Sequence, residues 1–185
     1  SDGPEVTIID GGETQNGIVC QSRETYDTVI EGFTISNCYG YWPTGGGMGI
    51  FNQSSATVLN CIFDSNVTDG NGGGLNVYDG IVNISGCLFV NNRVENANTP
   101  GGGIAIDSDN GGNVVITDTR FCDNWPNAIM GEWTDGGGTC IAFSCNDSDG
   151  DGVPDECGTV GDGVHYVPEE FATIQEAILA AGDHD

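Results

Sequence analysis

A repeat of just under 30 residues constrains the fold of this chain more than any other feature of its sequence. Three segments that open with a glycine triplet align with one another, and the triplets begin at Gly45, Gly72 and Gly101, 27 and 29 residues apart. Weaker copies precede and follow them, at 28–38 and 139–146. Because a unit of this length cannot bury its own apolar face, such repeats stack on their neighbours.

Aligning the copies produces apolar columns two residues apart, which is the side-chain period of a β-strand. An aromatic or aliphatic column is accompanied by columns two and five positions before it, and by an asparagine column three positions after it. The columns are Ile35, Phe63, Phe89, Phe121 and Phe143; Phe33, Cys61, Cys87, Thr119 and Ile141; Ile30, Val58, Ile84 and Ile116; and Cys38 followed by Asn66, Asn92, Asn124 and Asn146. This pattern predicts a parallel β-solenoid with a hydrogen-bonded asparagine ladder, and a β-sandwich of hairpins is the alternative.

The amino-acid composition limits which fold classes and which kinds of partner are possible. Glycine makes up 31 of the 185 residues without the spacing of collagen, which favours short strands and frequent turns over long helices. The chain has 28 acidic side chains, three arginines and no lysine, which gives a formal net charge of −25. Such a chain repels phosphates, so nucleic acid is excluded as a partner. No apolar stretch approaches the ~20 residues that a membrane span requires.

The repeat resembles the right-handed parallel β-helix of the pectate-lyase-like superfamily. More narrowly, it is similar to the GGG-I/L-x-N…C-x-F-x-x-N repeats of bacterial surface proteins, including chlamydial polymorphic outer-membrane proteins and large secreted planctomycete proteins. The resemblance covers residues 5–146. It implies an all-β, right-handed parallel β-helix of about five to six coils over 1–145. It implies little about activity, since this fold carries lyases, hydrolases, adhesins and inert spacers.

An acidic segment at 146–158 has the oxygen spacing of a calcium loop, D-x-D-x-D-G-x-x-D. The predicted ligands are the carboxylates and one backbone carbonyl of Asp147, Asp149, Asp151, Val153 and Asp155. Glu156 and Asp162 are the two candidates to complete the shell. The loop resembles thrombospondin type 3 and dockerin calcium repeats, and it departs from an EF-hand because its twelfth position is Gly158. A solvated acidic linker is the alternative.

The eight cysteines suggest an oxidising, extracellular or cell-surface location. Four of them cluster around the last coil and the acidic loop, and they are the candidates for disulfides: Cys122, Cys140, Cys145 and Cys157. Cys61 and Cys87 share one inward column, where they would form either a disulfide or a stacked pair of thiols. Zinc is disfavoured, because the chain has two histidines and no C-x-x-C.

The remaining segment, 159–185, contains an amphipathic helix pattern that opens near Pro168 and closes at Gly182. Its apolar face consists of Phe171, Ile174, Ala177, Ile178 and Ala181. The segment resembles the capping helix that begins a pectate-lyase-like β-helix, whereas the residues from Ser1 resemble an internal coil. Three interpretations follow: a cap on the chain's own last coil, a piece of a longer tandem protein, or a tail that caps the open coil of the next subunit in a homopolymer.

Enzymatic features are sparse in the repeat region. Arg120 and the pair Asp107 and Asp109 are weak candidates for a lyase or a hydrolase, and no nucleophile has an evident base. Aromatic residues in or near the predicted loops are candidates for stacking on glycans, with covering of the solenoid's edge as the alternative: Trp42, Trp125, Trp133, Tyr39, Tyr41 and Tyr78. The sequence therefore predicts a calcium-stabilised, extracellular structural protein that assembles head to tail. A glycan-binding adhesin module is the first alternative, and a polysaccharide lyase or hydrolase is the second.

Overall fold

In a computed structural model, the chain forms short parallel strands that stack coil upon coil. The structure describes residues 3–4, 6–95, 101–147, 154 and 157. Within these residues the structure contains 19 strands, all paired in parallel, and a 3-10 turn at Ser108–Asn110. Each repeat contributes one strand to each of the three larger sheets, and three of the repeats contribute one to the smallest sheet, so a strand pairs with its counterpart in the next coil. The all-β prediction is confirmed, and the hairpin alternative is wrong.

Four sheets make up the sides of the solenoid. Sheet A contains β1 (Ile8–Asp10), β4 (Thr34–Ser36), β8 (Ile62–Asp64), β12 (Leu88–Val90), β16 (Arg120–Cys122) and β19 (Cys140–Ile141). Sheet B contains β2 (Ile18–Cys20), β6 (Met48–Ile50), β10 (Leu75–Val77), β14 (Ile104–Ile106) and β17 (Ile129–Met130). Sheet C contains β3 (Val29–Glu31), β7 (Ser55–Leu59), β11 (Ile81–Ser85), β15 (Asn113–Thr117) and β18 (Thr134–Asp135). Sheet D is the smallest, with β5 (Tyr39–Gly40), β9 (Val67–Thr68) and β13 (Arg93–Val94).

The solenoid has about four turns, fewer than the five to six coils that the repeat predicts. The difference arises at the last repeat, which forms only the two-residue strands β17, β18 and β19. Short strands bury little side-chain area, and the last coil is correspondingly more exposed than those in the middle.

The core contains most of the predicted inward columns, together with inward residues of sheet B that the columns did not include: Met48, Ile50, Leu75, Val77, Ile104 and Ile106. In sheet C, Ile30, Val58, Ile84 and Ile116 are in register from coil to coil, as predicted. In sheet A the rings of Phe63 and Phe89 stack with centroids 4.5 Å apart, and those of Phe89 and Phe121 with centroids 4.9 Å apart. All three phenylalanines are fully buried. Burial of these stacked columns is the main stabilising contribution to the fold.

Single residues in the left-handed conformation turn the chain at both ends of the sheet A strands. Their φ angles lie between 46° and 72°. They are Gly32, Asn60, Gly86 and Asp118 before the strands, and Asn37, Ser65, Asn91 and Asp123 after them. Glycine, asparagine and aspartate tolerate this conformation best, which explains why these residue types recur at the corners.

The glycine triplets lie where the backbones of successive coils approach closely, just before the sheet B strands. A Cβ atom on Gly73 would lie 2.6 Å from the carbonyl oxygen of Gly102, and one on Gly74 would lie 2.6 Å from that of Gly103. Any side chain at these positions would force the coils apart. The triplet is therefore a packing requirement of the stack.

The predicted register of the last repeat is wrong by two residues. Phe121 pairs with Ile141, so Phe143 lies beyond the aromatic column, with 90% of its surface exposed. Asn146 is displaced by the same two positions, and its backbone N–H donates to Ser144 Oγ at 3.2 Å. A shift of two residues leaves the inward and outward faces unchanged, so alternation alone could not distinguish the two registers.

Candidate functional site

A ladder of buried asparagine side chains runs through the corner between sheets A and D. Asn92 Oδ1 accepts hydrogen bonds from the Asn66 backbone N–H at 3.1 Å and from Asn66 Nδ2 at 3.0 Å. Asn124 Oδ1 accepts the same pair of bonds from Asn92, at 3.1 and 3.0 Å. Asn66 Oδ1 in turn accepts from the backbone N–H of Cys38 at 3.0 Å. The ladder therefore joins four consecutive coils.

Two disulfides lie at the last coil and involve all four of the predicted cysteines. Cys122 on β16 bonds to Cys145, and Cys140 on β19 bonds to Cys157, with Cα atoms 5.1 and 5.6 Å apart respectively. Cys145 precedes the acidic segment and Cys157 follows Asp155 by two positions. The two ends of the predicted calcium loop are thus both attached to strands of sheet A.

The predicted calcium ligands lie largely outside the described residues. Asp147 is described, whereas Asp149, Asp151, Val153, Asp155, Glu156 and Asp162 are not. Asp147 and the buried Pro154 line a groove of about 560 Å³ on the outer face of sheet A, together with Arg120 and the aliphatic side chains of Ile62 and Leu88. Among the residues that the structure describes, no group of three or more acidic, cysteine or histidine side chains is placed to hold a metal.

The predicted self-association residues also lie outside the described residues: Phe171, Ile174, Ala177, Ile178 and Ala181. The structure does describe the strands of the first and last coils, where self-association would occur. At the first coil, β1, β2 and β3 each pair on one side only, and the inward side chains of Ile9 and Ile18 are only partly buried. At the last coil Ile141, in register with the fully buried Phe121, is 51% exposed.

The other four cysteines are free and buried. Cys61 and Cys87 form a stacked pair of thiols, and the backbone N–H of Cys61 lies 3.4 Å from Cys87 Sγ. The hydrogen bond with the Cys61 side chain and desolvation by burial raise the pKa of Cys87, whereas the bond from the Cys61 backbone N–H lowers it. Burial also raises the pKa of Cys38 to about 11 and that of Cys20 above its usual value. The side-chain hydrogen bond with Cys87 lowers the pKa of Cys61 to about 7. A buried, protonated thiol is a poor nucleophile and metal ligand, so Cys20, Cys38 and Cys87 serve the core.

The exposed aromatic residues are distributed over separate places. Trp42 and Tyr78, which are 68% and 37% exposed, line a groove of about 620 Å³ over the outer face of sheet B, hereafter the aromatic groove. Trp125 lines a different groove beside Arg93. Trp133 packs against the core, and the rings of Tyr39 and Tyr41 pack on each other at 5.0 Å.

The aromatic groove spans several coils, which explains why its members are far apart in the sequence. Its floor includes Asn76, Ala105 and Met130, which follow one another across sheet B. Acidic residues line it as well: Asp107, Asp109 and Glu132. Sequence reasoning identified the aromatic and aspartate residues separately. Only the coil register brings them together.

The candidate catalytic residues are not assembled into one site. Arg120 lines the groove on sheet A, whereas Asp107 and Asp109 line the aromatic groove. The Asp107 carboxylate caps the 3-10 turn by accepting from the backbone N–H of Asn110 at 3.1 Å and from Asn110 Nδ2 at 3.0 Å. Its role as a turn former is therefore established, and the prediction of a non-enzymatic function stays a prediction. In the described part of the chain, no helix has the length and apolar character to cross a membrane.

Comparison with known proteins places the coil stack in a family. A search of curated proteins and a search of solved structures each found no match. The family model described as the right-handed β-helix region matches residues 5–148, which include every strand of the solenoid. With parallel coils, inward columns and corner ladder in place over the same residues, the chain belongs to the right-handed β-helix family.

Proposed function

We propose that this chain is an extracellular structural protein whose coils stack end to end with those of a second copy, and that calcium stabilises its last coil. The observation that carries the proposal is the open state of both described ends. Within the described residues, the strands of the first coil pair on one side only, and core-column residues at both ends are partly exposed. Unpaired parallel strands are a template for a further strand, so another β-coil is the partner that fits best.

Contact between unlike ends generates an open filament when the rotation between subunits does not close a ring. The predicted apolar face of the 159–185 segment supports the same assembly, as a cap that one subunit places on the next. The two disulfides favour an oxidising compartment, which agrees with a location outside the cell. A tandem arrangement, in which a neighbouring unit of a longer chain covers the open coil, uses the same contact within one molecule.

Assembly is tested by a charge placed on the edge strand of the first coil. Ile8 lies on β1 and is 59% exposed, so Ile8→Asp should leave the fold intact and prevent a further strand from pairing. Light scattering and negative-stain electron microscopy of the unaltered chain should reveal filaments, and those of Ile8→Asp only monomers. Ile178→Asp tests the predicted cap in the same assay.

The matched control is Asn83→Asp, which adds the same charge to an exposed position of β11, in the middle of sheet C. This variant should assemble like the unaltered chain. If the unaltered protein is monomeric at all concentrations, self-assembly is contradicted, and the tandem arrangement is the remaining interpretation. Equal loss of filaments in both variants would mean that net charge, not the open edge, controls the assembly.

Calcium binding rests on the D-x-D-x-D-G-x-x-D spacing, and it is supported by the two disulfides that attach both ends of the loop to sheet A. A loop held at both ends loses less conformational entropy on binding, which favours affinity. Calorimetry should detect one calcium ion per chain, and saturating calcium at 100 times Kd should stabilise the fold by about 2.7 kcal/mol.

Asp151→Asn should weaken calcium binding at least about tenfold, since it removes a charged oxygen ligand. Asp27→Asn, an exposed position outside the loop, is the matched control and should have no effect. The absence of a binding isotherm in the unaltered chain, or equal affinity in the two variants, would support the solvated-linker alternative. The glycan-binding and polysaccharide-cleaving alternatives stay predictions.

A further inference from the structure

We propose that the aromatic groove binds an organic cation, the guanidinium or ammonium side chain of a basic peptide. This inference concerns the outer face of sheet B and is independent of end-to-end assembly. It rests on three observations: exposed aromatic residues, carboxylates that have no cationic partner among the described residues, and a largely buried asparagine that lines the groove and whose amide oxygen accepts no hydrogen bond there.

The aromatic component is Trp42, whose ring is the most exposed in the groove. Its backbone N–H donates to Asp69 Oδ1 at 3.1 Å, and the chain at Gly70 packs against it, so the residue is held in position while its ring remains open to solvent. Tyr78 lines the same groove from the next coil. A tryptophan face attracts a guanidinium or ammonium group through its quadrupole, and it stacks well on the planar guanidinium.

The charge of the groove is entirely negative. Asp107, Asp109 and Glu132 line it, whereas the three arginines of the chain line other grooves: Arg23, Arg93 and Arg120. The formal net charge of −25 increases the attraction for a cation and repels anionic ligands. Carboxylates beside an aromatic face are the complement of a cationic side chain with an apolar stem.

The side-chain amide of Asn76 offers a hydrogen-bond acceptor to a ligand in the groove, in addition to the aromatic rings and the carboxylates. The residue is only 4% exposed and lies on the floor of the groove, in the middle of β10. Its Nδ2 donates to the Pro43 carbonyl oxygen at 2.7 Å, which fixes the orientation of the amide. Within the described part of the chain its Oδ1 accepts no hydrogen bond, and so this acceptor is available to an N–H donor in the groove.

A neutral polysaccharide is the competing occupant, because it also stacks on exposed tryptophan and tyrosine. Sugar hydroxyls, however, need donors as well as acceptors from the protein. The charged side chains that line this groove are all acceptors, and the amide nitrogen of Asn76 is already engaged, so the donors in the groove are limited to neutral groups such as those of Trp42, Tyr78 and Ser108. The donor-rich guanidinium is therefore the better match.

Calorimetry and tryptophan fluorescence in 150 mM salt provide the test, with acetylated tetra-arginine amide as the probe. The neutral citrulline peptide of the same length is the comparison. We expect saturable one-to-one binding of the arginine peptide and none of the citrulline peptide. Trp42→Ala should weaken binding about three- to tenfold, and Trp42→Phe should restore most of it.

Matched controls separate the groove from general charge attraction. Trp125→Ala removes an exposed tryptophan elsewhere and should leave the affinity unchanged. Glu132→Gln should weaken binding about threefold, whereas Glu13→Gln, which makes the same change in net charge at another exposed position, should not. Equal effects of the paired variants, binding of the citrulline peptide, or displacement by cellohexaose would overturn the proposal, and the last result would assign the groove to glycans. Circular dichroism verifies that each variant is folded.

Discussion

Replacing Asn92 with alanine is expected to lower the free energy of unfolding by about 3 kcal/mol or more. Asn92 is fully buried and takes part in hydrogen bonds to both neighbouring coils. The substitution leaves the backbone N–H of Asn66 and the carbonyl oxygen of Phe63 without the partners that they have at 3.1 and 2.8 Å. Each buried group without a partner costs about 1–3 kcal/mol, and alanine can replace neither bond.

Urea denaturation followed by circular dichroism measures this effect, and Asn83→Ala is the matched control. Asn83 belongs to the same coil, on β11, but its side chain is exposed, so this variant should change stability by less than about 0.5 kcal/mol. Equal midpoints for the two variants would show that the ladder contributes no more than a surface amide. A fall in the slope of the Asn92→Ala transition would indicate that the coils no longer unfold together.

Phe89→Ala should destabilise the solenoid by about 3–5 kcal/mol, the range for a large aromatic residue removed from a core. The Phe89 ring lies between two other rings, 4.5 Å from that of Phe63 and 4.9 Å from that of Phe121, so one substitution removes two stacked contacts. The stack has rigid backbone contacts on either side, and the coils cannot collapse into the space that is left. Thermal and urea unfolding should both show the loss.

Phe143→Ala is the control for this prediction, because the repeat alignment would place Phe143 in the same column. In the structure that residue lies outside the core, and its replacement should alter stability by less than about 0.5 kcal/mol. A loss of stability comparable with that of Phe89→Ala would support the register that the alignment predicts, with Phe143 in the aromatic column. The pair of variants therefore measures both the aromatic stack and the register of the last coil.

Local pattern was sufficient to predict the middle of the solenoid. Inward columns such as Ile30, Val58 and Ile84 recur at fixed spacing because identical residues must meet across parallel strands. The ladder was predictable for the same reason, since Asn66 and Asn92 occupy one column at a corner where a buried amide needs a partner of its own kind. The disulfide candidates followed from proximity in the sequence to the last coil.

Features that depend on several coils at once could not be predicted. The last register depends on a two-residue shift between Ile141 and Phe143 that preserves alternation. The aromatic groove unites Trp42 with Glu132, and only the stacking order determines that they share one surface. Spacing along the chain carries no information about such a surface, because the loops between the columns vary in length.

The asparagine ladder affects which changes in chain length can be tolerated during evolution. The Oδ1 atom of Asn92 accepts from Asn66 in the coil before it, and its Nδ2 donates both to Asn124 in the coil after it and to the Phe63 carbonyl oxygen in the coil before it. The Asn66–Asn92 and Asn92–Asn124 joints between neighbouring coils are thus equivalent. Duplication or deletion of one whole repeat in the gene would produce a longer or shorter stack with the same joints. An insertion of a single residue within a sheet A strand would instead turn the following side chains to the wrong face. Variation in length by whole repeats is therefore the change that this architecture tolerates best.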